Sequence, residues 1–237
     1  MTAVNSCAMR ESGRVQIADP GNDSMGLTHK RIRKMNKPFA MIREFHLADW
    51  FTLANAICGM GAMFSMMTYL AVHDVVHVYY AGWLVVAAFI FDVLDGRIAR
   101  WRQKTSVLGR ELDSLADIIS FGVAPALIAY GCGMQGLYDR IVLTCFVACG
   151  VSRLARYNVT AELLSQGQDK VKYFEGTPIP TSLLLVFLMM AAALQGALGD
   201  ALWFGSVKLA GFTLHPLVLL FALSGSLMVS RIRIPKI

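Results

Sequence analysis

A chain of 237 residues with 56% hydrophobic residues, a mean hydropathy of +0.53 and 16% charged residues is too apolar for an ordinary soluble domain. It reads as a polytopic membrane protein of one domain. The net charge of +6 would suggest nucleic acid in a soluble chain; here it reflects basic residues gathered on one side of a bilayer, so no nucleic-acid partner is expected. Five cysteines (Cys7, Cys58, Cys132, Cys145 and Cys149) form no CxxC pair, which argues against a zinc site or a disulfide framework and leaves them as small buried hydrophobes.

Taken in order, residues 1–46 contain no apolar run of the kind a secretory signal needs. The first thirty or so residues are rich in Ser, Asn, Gly and Asp and are expected to be disordered. His29–Arg43 is basic, with Met, Phe and Ile interleaved. It fits either an interfacial helix on anionic headgroups or a plain topogenic basic tail.

Six hydrophobic segments follow, at 48–70, 77–95, 112–131, 138–156, 179–197 and 212–230, each close to the ~20 residues needed to cross a bilayer. The expected fold is therefore all-α: a polytopic integral membrane protein with six transmembrane helices in 47–237. The semi-polar run 196–211 is expected to be a loop or a short interfacial piece. With the N-terminus in the cytoplasm, twenty of the 22 Lys and Arg fall on one side, and only Arg140 and Lys208 lie opposite. That asymmetry predicts cytoplasmic N- and C-termini. No internal repeat is visible, which disfavours an inverted-repeat transporter.

The chemistry concentrates in Phe91–Gly122, which holds Asp92, Asp95, Asp113 and Asp117. Spacings of three and four place each pair on one helix face. Carboxylates at the ends of apolar helices are costly unless a cation or a proton is bound there. Oxygen-only ligands suit Mg²⁺ or Mn²⁺, and four charges suffice for two ions clamping phosphate oxygens. Gly96 and Ala99 leave room for a ligand or a second helix, and Arg100 and Arg110 bracket the intervening loop and can neutralise phosphates. Gly109 at the start of the third helix leaves exposed backbone N–H groups for an anion. The same acids could instead form a cation or proton relay in a transporter, or pair with Arg97 and Arg100. The first of these calls for polar residues continuing across several spans, and Ser65 and Thr68 are the main ones present.

The eight residues Asp92, Asp95, Gly96, Ala99, Arg100, Gly109, Asp113 and Asp117 meet every spacing of D-x2-D-G-x2-A-R-x8-G-x3-D-x3-D. This resembles the signature of the CDP-alcohol phosphatidyltransferase family. The resemblance implies that Asp92, Asp95 and Asp113 ligate a pair of divalent ions holding the CDP diphosphate. Asp117 is then the general base beside the second ion, and a ligand to it. Gly96, Ala99, Arg100, Ser106, Gly109 and Arg110 are implied on the CDP-diacylglycerol side. So are Thr52 and Asn55 of the first span, for which helix–helix hydrogen bonding is the alternative.

Three further stretches, 112–126 (LDSLADIISFGVAPA), 153–158 (RLARYN) and 174–182 (FEGTPIPTS), resemble the serine-using branch of that family. Thr177 departs from it, standing where the branch commonly has Leu. The resemblance implies transfer of the phosphatidyl group from CDP-diacylglycerol to L-serine, giving phosphatidylserine and CMP, by a homodimer; the charge asymmetry puts the four aspartates at the cytoplasmic face of the cell's inner membrane. Arg153 and Arg156 could take the serine carboxylate, and Asn158 and Glu175 its ammonium. The arginines serve equally as topogenic charges or as contacts to an acceptor phosphate. Glycerol phosphate, inositol phosphate or choline as acceptor, and an ether-lipid donor, stay open on the same core.

Overall fold

The computed structural model describes residues 47–102, 107–165, 173–175, 177–209, 211–230 and 233–235. The N-terminal tail 1–46 with its possible interfacial helix, and Ser106, lie outside these residues. The backbone at Ala99 and Glu175 is described, but their side chains are not.

Helix α1 spans Leu47–Val72, with Asp49 in its first turn, where a negative charge complements the helix dipole. It stops at His73, a left-handed residue with φ of 58°, whose N–H still reaches Tyr69 O at 2.7 Å. The Asp74 carboxylate then accepts the Val76 N–H at 3.0 Å and starts α2, Val76–Arg102. With so short a connection, α1 and α2 form an antiparallel pair packed along their length.

The third rod is composite. Helix α3 (Val107–Asp117) passes into a π-helical turn (Ile118–Val123) and then into α4 (Ala124–Gly131). Pro125, within the first turn of α4, has no N–H to give to an α-helical bond. The wider turn before it uses the Ala124 N–H on Ile119 O instead. Helix α5 (Leu137–Ser165) follows. A 3₁₀ turn (Ile179–Ser182) opens α6 (Leu183–Leu194), and another (Pro216–Val218) opens α7 (Leu219–Val229). Prolines sit at the starts of both turns, where a missing N–H costs nothing.

Four three-residue strands add a minor β component that an all-α expectation omits: β1 (Tyr173–Glu175) pairs antiparallel with β4 (Arg233–Pro235), and β2 (Val207–Leu209) with β3 (Phe212–Leu214). The β2–β3 pair begins at the end of the run expected to be a loop, with β2 inside it. It takes residues 212–214 from the expected sixth hydrophobic helix, which begins at Pro216. In the other direction, α2 and α5 run on to Arg102 and Ser165, well past their apolar parts, because charged residues there continue the helix without needing hydrocarbon.

Among the described residues, three stretches are long and apolar enough to cross a membrane: Ala48–Val72, Val76–Ile98 and Leu108–Gly131. Ile179–Leu194 and Pro216–Val229 are shorter apolar helices. Phe121, Phe146, Phe221, Met66 and Ile128 are buried at the centre. Phe146 meets Phe221 edge-on at 5.4 Å, and Phe89 meets Phe121 likewise at 6.3 Å. Outward-facing Ile57, Met67, Trp83 and Leu184 are each more than 60% exposed, as lipid-facing residues would be. The chain has the build of an integral membrane protein.

The pole of the bundle opposite the aspartates is tied by a buried cluster. Asp139, in the first turn of α5, is fully buried and accepts the Gly136 N–H at 3.0 Å and the His215 N–H at 2.9 Å. Its carboxylate also lies 2.6 Å from His215 Nδ1. His215 is thus occupied at the pole away from the four acids.

Candidate active site

Three helices supply the site, each through a pair of residues one turn apart. Helix α2 carries Asp92 and Asp95 near its C-terminal end. Helix α3 carries Asp113 and, at its last residue, Asp117. Helix α1 carries Thr52 and Asn55 near its start. The α1–α2 hairpin brings the start of one helix beside the end of the other, and α3 packs on α1 at the same level. The four acids thereby converge at one pole.

One carboxylate oxygen from each of Asp92, Asp95 and Asp113 lies within 4.8 Å of the others. Asp113 Oδ1 is buried and has no hydrogen-bond partner. An orphaned carboxylate oxygen beside two further carboxylates is the donor set a hard divalent cation takes, so these residues fit such an ion. Asp117 stands beside this trio rather than in it: its side chain is within hydrogen-bonding contact of Asp92, and it is 9% exposed.

The two polar residues of α1 both act on these acids. Thr52 Oγ1 donates to Asp95 Oδ2 at 2.8 Å, and Asn55 Nδ2 donates to Asp117 Oδ1 at 3.3 Å. Both residues are buried. Both bonds are interhelical. Asn55 Oδ1 is buried and has no hydrogen-bond partner.

Around the acids, Arg100 folds back so that its Nε donates to Gly96 O at 3.0 Å. A Cβ at Gly96 would meet nothing nearer than Arg100 Nη2 at 4.0 Å, so this flank is open. Gly109 and Arg110 lie in the first turns of α3, half-buried, and Arg110 Nε is buried without a hydrogen-bond partner.

The acceptor residues expected on α5 separate. Arg153 lies within electrostatic reach of Asp117, and its Nε is buried without a hydrogen-bond partner. Arg156 directs Nη2 to Val229 O at 3.4 Å, at the end of α7. Asn158 bonds across to α3, with Nδ2 on Ser114 Oγ at 3.0 Å and on Glu111 Oε2 at 3.2 Å. The backbone of Glu175 pairs with Arg233 in the β1–β4 register.

The structure adds residues that spacing did not reveal. Asp49, buried in the first turn of α1, is a fifth acid within electrostatic reach of Asp95. Its signal in the sequence is an acid at the very start of an apolar run. Ser114 and Glu111 join α3 to α5, and Ser120, in the π turn, donates to Asn55 O at 2.9 Å. Hydroxyls inside helices carry no distinctive sequence signal.

A membrane-embedded bundle with a pole of clustered carboxylates, flanked by arginines and small residues, defines a class: integral membrane proteins with a site suited to a divalent cation. The sequence profile described as CDP-alcohol phosphatidyltransferase matches residues 45–223. The chain is 41% identical over 202 residues to the CDP-diacylglycerol–serine O-phosphatidyltransferase of Saccharomyces cerevisiae, covering 84% of this chain and 73% of that protein. It is 39% identical over 189 residues to the protein of the same name from Helicobacter pylori, covering 78% and 70% respectively. Against the Bacillus subtilis protein of that name the identity is 31% over 189 residues, covering 78% and 86%. The chain belongs to the CDP-alcohol phosphatidyltransferase family.

Proposed function

We propose that this protein transfers the phosphatidyl group of CDP-diacylglycerol to the hydroxyl of L-serine, forming phosphatidylserine and CMP. The observation that carries the chemistry is the convergence of four carboxylates from α2 and α3, one of them with a buried, unpartnered oxygen. The names of the relatives above carry the acceptor.

Asp92, Asp95 and Asp113 would hold Mg²⁺ or Mn²⁺, as a pair of ions with Asp117 adjoining. Bound there, divalent ions offset charge growing on the phosphoryl oxygens. Asp117 takes the proton from the serine hydroxyl, which is a poor nucleophile until a base is in reach. The freed oxygen forms a bond to the lipid-bearing phosphorus, and the bond from that phosphorus to the bridging oxygen breaks, releasing CMP. Thr52 holds Asp95 and Asn55 holds Asp117 in the rotamers this needs. Arg100 and Arg110 neutralise the diphosphate, with Gly96, Ala99, Ser106 and Gly109 shaping the nucleotide's approach. Arg153 receives the serine carboxylate; its unpartnered Nε and its electrostatic reach to Asp117 support this reading. Arg156, Asn158 and Glu175 contribute from the rim.

The catalytic domain is 47–237, with six spans, both termini in the cytoplasm and the site at the cytoplasmic face of the cell's inner membrane. The protein works there as a homodimer, with 1–46 as a basic tail. The lysine and arginine distribution supports this topology. The lipid enters laterally with its acyl chains in the bilayer.

Acceptor screening tests the reading. Purified full-length protein with CDP-diacylglycerol and Mn²⁺ or Mg²⁺ should release CMP with L-serine and not with glycerol phosphate, inositol phosphate or choline. CMP release with one of those alone replaces the acceptor; no release with any of them removes the enzyme reading.

A further inference from the structure

Asp117 is the last residue of α3, and the π turn begins at the next residue. Within that turn Ser120, fully buried, donates its Oγ to the backbone carbonyl of Asn55 at 2.9 Å. Asn55 is the residue whose amide holds Asp117 Oδ1. The rod that carries the acid therefore reaches forward three residues and grips, by the backbone, the same residue that grips the acid by the side chain. The contact is possible because α1 has glycine one turn on. A Cβ at Gly59 would stand 2.4 Å from Ser120 Oγ and 2.9 Å from Ser120 Cα, too close for any side chain. Ser120 and Asn55 are both fully buried, where a polar group left without its partner is costly.

We infer that Ser120, seated on Gly59, is a positioning residue that fixes the Asn55–Asp117 pair in register with the metal trio. The π turn is the device that makes this possible. It inserts an extra residue between Asp117 and Pro125, re-aiming Ser120 toward α1. Ser120 touches neither substrate nor the trio among its described bonds; it acts through Asn55 on the acid proposed as the base. The inference thus rests on the proposed role of Asp117, and its test is chosen to fail separately from that role.

The test is kinetic, on the full-length chain in lipid nanodiscs. Ser120→Ala should lower kcat about tenfold, because small displacements of a proton-accepting group are costly. KM for CDP-diacylglycerol, and Mn²⁺ affinity read by electron paramagnetic resonance, should not move. In an Asn55→Ala background the same substitution should cause no additional loss, since its route to Asp117 has been removed. Gly59→Ala, which wedges the two helices apart at this point, should reproduce the kcat loss. An unchanged kcat in Ser120→Ala, an equal loss with or without Asn55, or a parallel fall in Mn²⁺ affinity overturns the inference. Asp117→Asn with its turnover intact would instead remove the base and leave Ser120 nothing to position.

Discussion

The hydroxyl of Thr52 ends on Asp95 and the amide of Asn55 on Asp117, while Arg153 lies within electrostatic reach of the same Asp117. These three interactions divide the site into parts with different expected failures. Asp117→Asn keeps the shape and the Asn55 neighbour but removes the proton acceptor. Turnover should fall on the order of 10²- to 10⁴-fold while CDP-diacylglycerol still binds, measured as serine-dependent CMP release alongside donor binding. Substantial remaining turnover excludes Asp117 as the base. Thr52→Val removes a donor to a ligand while leaving its volume, so Mn²⁺ affinity should fall roughly ten- to a hundredfold, measured by Mn²⁺ titration. The four acids themselves were legible from spacing, since carboxylates three and four apart in apolar surroundings are costly unless a cation or a proton is bound there. The direction in which Thr52 and Asn55 point was not legible. It depends on which helix packs against α1 at that height, and local sequence does not encode that.

At the scale of elements, the α1–α2 hairpin and the composite third rod place the acids, and the opposite pole keeps the rods together. There Gly136 passes so close to β3 that a Cβ would lie 2.1 Å from the Thr213 backbone oxygen and 2.8 Å from Asp139 Oδ2. A backbone oxygen cannot swing away as a flexible side chain can. Gly136→Ala should therefore destabilise the protein by about 1–3 kcal/mol without changing KM for either substrate, because the site lies at the other end of the bundle. Thermal unfolding in detergent, with kinetics below the transition, checks this; an unchanged melting temperature would show that the two segments are not so close. The helices were readable from runs of hydrophobic residues; the start of α2 on the Asp74 carboxylate emerges only in the structure. The π turn was not readable: Pro125 warns of a break in an α-helix, but whether the chain kinks, stops or widens is decided by packing such as Ser120 against Gly59. The β2–β3 hairpin was likewise hidden in a semi-polar run without a period.

At the scale of the whole molecule, hydropathy identified an integral membrane protein, and three helices have the length and apolarity to span. The remaining helices are shorter or, like α5 with Asp139, Arg140, Arg153 and Arg156, interrupted by charge. Length alone therefore does not set the number of crossings, and charge asymmetry carries the proposed topology. A fluorescent reporter that matures only in the cytoplasm, fused after Ile237, should be bright, and an export-dependent phosphatase at the same position inactive. The reverse pattern contradicts cytoplasmic termini. The acceptor, in contrast, is written in no single motif: the proposed serine-side residues are spread over α5 and the segment before α6, and their contacts connect three helices.

The central claim is that this pole of carboxylates joins a phosphatidyl group to serine. Its most direct measurement is mass spectrometry of the lipid made by full-length protein in nanodiscs from CDP-diacylglycerol and isotope-labelled L-serine with Mn²⁺. Phosphatidylserine carrying the label is expected, with one CMP released for each lipid formed. CMP release without labelled lipid, or labelled lipid formed undiminished by Asp117→Asn, would contradict it.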